Sequence, residues 1–285
     1  MIELESRTFR SNGLKIHTMV AGPEDAPLVL LLHGFPEGWW GMRRQVEPLV
    51  RVGYRVAVPD QRGYGKTSRP TAVREYRLEA LTEDMIGLID ALDAPSAHVV
   101  GHDWGAAVGW WLASEHPSRV EKLVVMNVPH PVVMRRTLST SRAQLARSWY
   151  AFAFQVPFLS DMGLAHTHVL EDSVRRSARP GTFSDEDFAK YREAWSEAGA
   201  LTAMVAWYRA AFRHPPRPAK EDSTIRAPTL VIWGARDAFV GVEMAEPSRA
   251  MCEKGELKIF PDATHWVQHE EAEAVNRSIV EFFGR

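Results

Sequence analysis

The sequence has 285 residues, of which 45% are hydrophobic and 25% charged, and its formal net charge is −2. This size accommodates one large domain or a domain with an insertion, and the composition is typical of a globular protein with a sizeable core. The near balance of charge excludes a global field that would attract nucleic acid or an anionic membrane. The longest aliphatic run, residues 28–32, is far too short to span a bilayer.

The cysteine content and the N-terminal residues indicate in which cellular compartment the protein is expected. A single cysteine, Cys252, excludes an intramolecular disulfide and a cysteine metal cluster. The first seven residues are charged and lack the apolar segment of a secretory signal. We therefore expect a cytoplasmic protein with no membrane or nucleic-acid partner. The sequence leaves the oligomeric state open, with a homodimer among the options.

Strands and helices alternate along the first part of the chain. Residues 8–19, interrupted by Ser11-Asn12-Gly13, predict a hairpin with an Asn-Gly turn. The continuous apolar run 28–32 is typical of a strand buried on both faces of a parallel sheet. Further strands are predicted over 54–58, 97–100 and 122–126, and helices over 39–50, 82–92 and 105–116. This order favours the α/β class, with a mostly parallel central sheet and helices on both faces.

The alternation stops between residues 131 and 218. That segment has helical periodicity, many aromatic residues and a proline-rich end at residues 214–218. Strands are predicted again over 229–233 and 257–260, followed by a last helix over 270–283. We therefore predict an α/β core formed by residues 1–130 and 219–285, with an inserted helical cap over 131–218.

The five residues that directly follow the strand 97–100 are the strongest indication of catalytic chemistry in the sequence. The segment Gly101-His102-Asp103-Trp104-Gly105 has the form of a G-x-S-x-G nucleophile elbow, a sharp strand-to-helix turn that exposes one side chain. Here the exposed residue is Asp103 instead of serine. A carboxylate at this point attacks carbon and forms an alkyl ester, whereas a serine forms acyl esters. The pattern therefore predicts an aspartate nucleophile.

Two more polar residues follow strands of the predicted sheet. Asp237 comes after the strand 229–233, and His265 comes after the strand 257–260. Functional groups gather beyond the carboxyl ends of parallel strands, and the order nucleophile, acid, histidine is that of α/β-hydrolase triads. Each aspartate alone could cap a helix, but three such positions in this order favour a triad. His265 would accept a proton from water, and Asp237 would orient its ring.

The loop His33-Gly34-Phe35-Pro36 lies where such folds supply one oxyanion-hole donor. The backbone N–H groups of Phe35 and Trp104 are therefore candidates for an oxyanion hole. A simple turn would also explain the glycine and the proline.

Two tyrosines in the predicted cap, Tyr150 and Tyr208, are candidate proton donors. On a helix Tyr208 shares one apolar face with four other residues, Leu201, Met204, Val205 and Phe212. A tyrosine on such a face is more often part of the core. However, an aspartate that opens a strained ether needs a donor for the departing alkoxide, which a phenol could supply.

Together these motifs resemble the epoxide hydrolases of the α/β-hydrolase fold. The resemblance covers nearly the whole chain and rests on five segments: residues 33–37, 60–65, 101–105, 207–209 and 265–266. It implies that an epoxide becomes a vicinal diol through an ester on Asp103, with Tyr150 and Tyr208 binding the epoxide oxygen. It implies no metal and no organic cofactor. The expected partner is a small apolar or aromatic epoxide in a pocket lined by Trp104, Trp149, Phe154, Trp207 and Trp266.

Three other functions are compatible with parts of this sequence. Haloalkane dehalogenases pair the tryptophan after the nucleophile with a second asparagine or tryptophan, and this chain has Phe35 at that position. Haloacetate dehalogenases follow the nucleophile with arginines, which are absent from residues 104–107. A non-catalytic receptor with this fold is a further alternative. Detoxifying and biosynthetic roles would use the same residues, so the sequence does not separate them.

Overall fold

A computed structural model describes residues 2–156, 167–216 and 223–284. Eight strands form one sheet in the order β1-β2-β4-β3-β5-β6-β7-β8. The pairings β1 with β2 and β2 with β4 are antiparallel, and the other five pairings are parallel. The strands are β1 Glu5–Ser11, β2 Leu14–Ala21, β3 Leu28–Leu32, β4 Arg55–Pro59, β5 Ala97–His102, β6 Val120–Met126, β7 Thr229–Gly234 and β8 Gly255–Phe260.

The first two strands form the predicted hairpin. Asn12 and Gly13 connect them, with φ angles of 47° and 77°. Positive φ at both central residues is what a two-residue turn needs to match the right-handed twist of its strands.

The core lies on both faces of the sheet, as β3 demonstrates. Leu28, Leu30 and Leu32 pack into the cluster on one face, whereas Val29 and Leu31 pack into the cluster on the other. Successive side chains of a strand point to opposite faces, so an unbroken apolar run is what a strand covered on both sides requires. The predicted α/β class and the mostly parallel sheet are confirmed.

Helices cover the two faces of the sheet. Val46 and Leu49 of one helix pack on one side of the sheet, and Met85 and Leu88 of the next pack on the other. The helix predicted over 39–50 begins with a 3-10 turn at Trp39–Met42, and the helix predicted from 82 begins four residues earlier. The core helices before the insertion are α1 Arg43–Arg51, α2 Leu78–Ala91 and α3 Trp104–Glu115.

Between β6 and β7, the described residues form helices and no strand. This segment is called the insert below. Its predicted boundary at residue 218 lies outside the described residues, so the division at 131 and 218 stays a prediction. The helices of the insert are α4 Pro131–Thr140, α5 Arg142–Arg147, α6 Trp149–Ala153, α7 Thr167–Ser177, α8 Asp185–Trp195 and α9 Ala200–Arg213, and those after it are α10 Ala245–Arg249, α11 Val267–Glu270 and α12 Ala272–Phe283. None of the described helices is long and apolar enough to cross a membrane.

Candidate active site

Asp103 occupies the sharp turn between β5 and α3. Its backbone has φ 49° and ψ −122°, and its side chain makes no hydrogen bond that caps α3. The turn is close to β3, because a Cβ atom at Gly105 would overlap the Leu32 carbonyl. Positive φ is uncommon for a residue with a side chain and is characteristic of functional turns. Asp103 therefore has the backbone of an elbow, and although it occupies the N-cap position of α3, its side chain does not cap the helix.

The three predicted triad residues lie together. The Nε2 atom of His265 is 3.6 Å from Oδ2 of Asp103, and its Nδ1 atom is 2.7 Å from Oδ2 of Asp237. Asp237 and His265 are buried, and the Asp103 side chain retains 15% exposure. The imidazole thus bridges one buried carboxylate and one accessible carboxylate, as a base oriented by an acid must do.

The Asp237 carboxylate contacts four hydrogen-bond partners, one of which is the His265 ring. Its Oδ1 accepts from the N–H groups of Phe239 at 2.7 Å and Val240 at 3.0 Å. Its Oδ2 accepts from Asn127 Nδ2 at 2.7 Å as well as from the His265 ring. The Asn127 Oδ1 atom accepts from the Gly234 N–H at 3.0 Å. One oxygen of Asp237 thus stabilises the local turn at residues 239–240, and the other contacts the histidine; the next helical turn, Val242–Met244, begins beyond that turn, so Asp237 does not cap it.

The charges of the triad are coupled. Burial would lower the pKa of His265, but the carboxylates of Asp237 and Asp103 raise it to about 10. Burial would raise the pKa of Asp103, but the His265 ring and the Phe35 N–H outweigh burial and lower it. At neutral pH the site therefore holds an imidazolium between two carboxylates.

One backbone donor contacts the Asp103 side chain, and a second candidate donor directly follows Asp103 in the chain. The Phe35 N–H donates to Asp103 Oδ1 at 2.8 Å. Trp104 is the first residue of α3, and the first N–H groups of a helix have no partner within it. The positive end of the helix dipole also lies at this point. Negative charge on the Asp103 side chain is therefore favoured here.

Aromatic rings form a cluster beside Asp103. The Tyr208 ring packs edge-on against Phe35, with centroids 5.3 Å apart, and against Trp104 at 5.0 Å. Tyr150 packs against Tyr208 at 5.9 Å and against Phe239 at 5.6 Å. Phe239 in turn contacts the His265 ring at 5.2 Å. Both insert tyrosines thus lie in one aromatic cluster with Phe35, Trp104 and His265.

Burial and the Asp103 charge keep both tyrosines protonated. Burial chiefly raises the pKa of Tyr208 well above its usual value, the Asp103 charge adds to it, and a hydrogen bond with Trp104 opposes it. Burial and the charges of Asp103 and Asp237 likewise raise the pKa of Tyr150. Both hydroxyls therefore remain available as donors in the free protein.

Comparison with known proteins agrees with this geometry. Residues 27–272 match the model of the family described as the alpha/beta hydrolase fold. Human epoxide hydrolase 4 is 34% identical over 282 residues, which cover 96% of this chain and 77% of that protein. The chain belongs to the epoxide hydrolases of the α/β-hydrolase family.

Two further similarities extend over nearly the full length of this α/β-hydrolase. The AB hydrolase superfamily protein YfhM of Bacillus subtilis is 41% identical over 274 residues, with 95% of each chain covered. The crystal structure of Bacillus megaterium epoxide hydrolase in complex with an inhibitor has a TM-score of 0.87 and 28% identity, covering 98% of this chain and 100% of that one. A mutant of that enzyme has been crystallised with its product, a naphthyloxy-propane-1,2-diol.

The expected pocket of this α/β-hydrolase needs correction at three tryptophans. Trp149 is 68% exposed and lies on the outer surface of α6. Trp207 and Trp266 are only 1% and 2% exposed, so they pack behind the site and offer almost no surface to a ligand. The predicted apolar face of α9 also fails at its end, because Phe212 is 44% exposed. Of the expected lining, Trp104 and Phe154 remain in the aromatic cluster around Tyr208.

Three contributors to the site were missed by sequence analysis. Asn127 directly follows β6, so the strand-end rule that selected Asp103 would have found it. Phe239 follows Asp237 by two residues and carries no distinctive pattern. Glu37 contributes from outside the reacting groups, with its Oε2 3.5 Å from Nδ1 of His102, the residue before Asp103. It lies in a segment that supported the family resemblance, but the residues it contacts are distant in sequence. Within the described residues, no group of three or more histidine, cysteine or acidic side chains is arranged to hold a metal ion.

Proposed function

We propose that this α/β-hydrolase converts epoxides to vicinal diols through an ester on Asp103. The observation that carries the proposal is the triad, with a carboxylate at the elbow and His265 Nε2 3.6 Å from its Oδ2. A carboxylate nucleophile forms an ester that water must then cleave, so a base beside it is required. No residue of this mechanism needs a cofactor.

In the first step, Asp103 attacks an oxirane carbon and the carbon–oxygen bond breaks. The departing oxygen accepts hydrogen bonds from Tyr150 and Tyr208 and then a proton from one of them. The Asp103 charge helps to raise the pKa of both phenols. Esterification removes that charge, so proton donation becomes easier as the alkoxide forms. Donors at such a position typically contribute about a hundredfold or more in rate.

In the second step, the same loss of charge changes His265. The free site keeps this ring protonated, because two carboxylates raise its pKa to about 10. Once Asp103 is an ester, only Asp237 supports the imidazolium, and the pKa of His265 falls. The ring gives up its proton, which restores the phenol that was deprotonated in the first step, and the neutral ring then takes a proton from the water that attacks the ester carbonyl. The N–H groups of Phe35 and Trp104 stabilise the resulting oxyanion. When the oxyanion collapses, the diol oxygen leaves with the proton held by His265, and the new Asp103 carboxyl returns its own proton to the ring.

The substrate class follows from the side chains around the nucleophile. Phe35, Trp104, Phe154 and Phe239 surround the two tyrosines, so the hydroxyls are the polar groups of an otherwise aromatic shell. Apolar pockets with few placed polar groups select apolar ligands that carry one polar atom. We propose apolar or aromatic epoxides as substrates, in keeping with the aryloxy diol bound by the Bacillus megaterium relative.

A direct test combines a substrate panel with a trapping variant. Aryl, alkyl and fatty epoxides are assayed beside chloro- and bromoalkanes, and we expect diol formation without halide release. In His265→Gln, the ester should accumulate, and mass spectrometry should find one substrate mass added at Asp103. Halide release alone would identify a dehalogenase. Tight binding of an epoxide with neither product nor adduct would identify a receptor.

A further inference from the structure

A buried carboxylate that the reaction does not use lies two residues after Phe35. Glu37 is 2% exposed. Its Oε1 accepts from the Tyr191 hydroxyl at 2.6 Å and contacts Nε2 of His269 at 2.7 Å. Its Oε2 accepts from Gln268 Nε2 at 3.2 Å. A buried carboxylate with several partners fixes the backbone that carries it.

The groups around Glu37 have complementary charge states. Burial would raise the pKa of Glu37, but His269 and His102 outweigh it and hold the pKa well below its usual value. Burial lowers the pKa of His269 and raises that of Tyr191. The Glu37 carboxylate is thus ionised, so its hydrogen bonds with the His269 ring and the Tyr191 phenol are of the stronger charge-assisted type.

A second contact links the same insert helix to the same loop. Trp195 Nε1 donates to the Pro36 carbonyl at 2.6 Å, and its ring stacks on Tyr191 with an interplanar angle of 17°. Tyr191 and Trp195 are one turn apart on α8, so both point from one helix face to residues 36 and 37. Helix α8 therefore makes two hydrogen bonds to the residues that follow Phe35, one to the Pro36 carbonyl and one to the Glu37 carboxylate.

The loop has space beside it. A cavity of about 240 Å³ lies between residues 37–40 and α8, with Glu37, Gly38, Trp39 and Tyr191 among its lining. A segment next to such a cavity can shift if its anchors are removed, since no packed atoms block the movement.

We propose that α8 positions the oxyanion loop, with Tyr191 and Trp195 as positioning residues that serve mainly the hydrolytic step. This inference rests on the proposed function. In alkylation the Asp103 carboxylate loses its charge, so the Phe35 N–H is not needed for the transition state. In hydrolysis a full negative charge develops on the former carboxyl oxygen, and the donor must be in place. A loosened loop should therefore slow hydrolysis of the ester and spare its formation.

The test resolves the two steps in Tyr191→Phe and Trp195→Phe. Rapid-quench single turnovers with excess enzyme give the rate constants for ester formation and for ester hydrolysis. We expect hydrolysis to fall by about tenfold, as small misplacements of a catalytic group do, and ester formation to change by less than about threefold. The ester should also accumulate at steady state, with kcat and KM lowered together.

Tyr76→Phe is the matched control. Tyr76 is equally buried, and its hydroxyl donates to the Pro70 carbonyl at 2.7 Å, away from the loop. The Tyr76→Phe variant should lose about as much stability as the two α8 variants, while the rate constants for ester formation and ester hydrolysis stay unchanged. Equal slowing of both steps in the α8 variants, or no slowing, would overturn the inference. Failure of the proposed function would look different, because His265→Gln would then form no ester at Asp103.

Discussion

Among single residues, the protonation state of His265 matters most for the proposed reaction. Two carboxylates raise its pKa to about 10, and we assign the loss of one of them to ester formation. The Asp103→Asn variant imitates that loss, because it removes the charge and keeps the size. We expect the pKa of His265 to fall toward the usual range for histidine, about 6.5.

Titration of the His265 ring protons by NMR measures this shift, with His116, a partly exposed histidine outside the site, as the internal control. In the wild type the ring should stay protonated through neutral pH and lose its proton near pH 10. An unchanged pKa in Asp103→Asn would contradict the proposed activation of the base by esterification.

Tyr150 and Tyr208 should affect ester formation, the step that substitutions in α8 are expected to leave unchanged. Tyr208→Phe and Tyr150→Phe each remove one hydroxyl from the aromatic shell. We expect either change to slow ester formation by about tenfold to a hundredfold, because an acid that stabilises the leaving oxygen is lost, while ester hydrolysis changes little. Single-turnover rates measure both steps. Unchanged ester formation would return these tyrosines to a purely structural role.

At the scale of elements, the elbow depends on how closely β3 approaches α3. A Cβ atom at Gly105 would overlap the Leu32 carbonyl, which is backbone and cannot move aside cheaply. We expect Gly105→Ala to cost about 1–3 kcal/mol or more in the free energy of unfolding and to lower activity through displacement of Asp103. Chemical denaturation measures the loss. Gly284→Ala is the control, because a Cβ atom there meets ordinary contact distances.

Much of the element order was predictable, since strand period and strand-end polarity are local signals. The run 28–32 predicted a strand covered on both faces, and Asp103, Asp237 and His265 each followed a strand. Trp149 was not predictable, because the short α6 exposes a face that composition alone does not reveal. The exposure of Phe212 at the end of α9 was not predictable for a similar reason. Helical periodicity shows which face of a helix is apolar but not where the neighbouring elements stop covering that face.

At the scale of the whole molecule, the insert is fastened to the core beside the oxyanion loop. Asp187 at the start of α8 pairs with Arg43 at 2.5 Å and accepts from Trp40 Nε1 at 2.9 Å. Glu37 and Tyr191 meet across 154 positions of sequence, so no local pattern could predict this contact. The cytoplasmic location rests on sequence alone and stays a prediction, and the oligomeric state is not tested.

Removal of the Asp187 charge should weaken this attachment. Asp187→Asn leaves the largely buried Arg43 without its carboxylate partner, although the Trp40 carbonyl still accepts from it, and we expect a loss of about 1–3 kcal/mol in the free energy of unfolding. Urea denaturation measures it. Glu47→Gln breaks the exposed pair with Arg51 and should leave the urea midpoint unchanged. A negligible effect of Asp187→Asn would show that the insert is held by other contacts.

The origin of the oxygen in the diol tests the central claim most directly. A single turnover with excess enzyme in ¹⁸O-labelled water separates an ester on Asp103 from direct attack of water on the epoxide. We predict that the label enters the Asp103 carboxylate, found by mass spectrometry of the peptide, and that the first diol carries no solvent oxygen. A labelled first diol with an unlabelled Asp103 would contradict it.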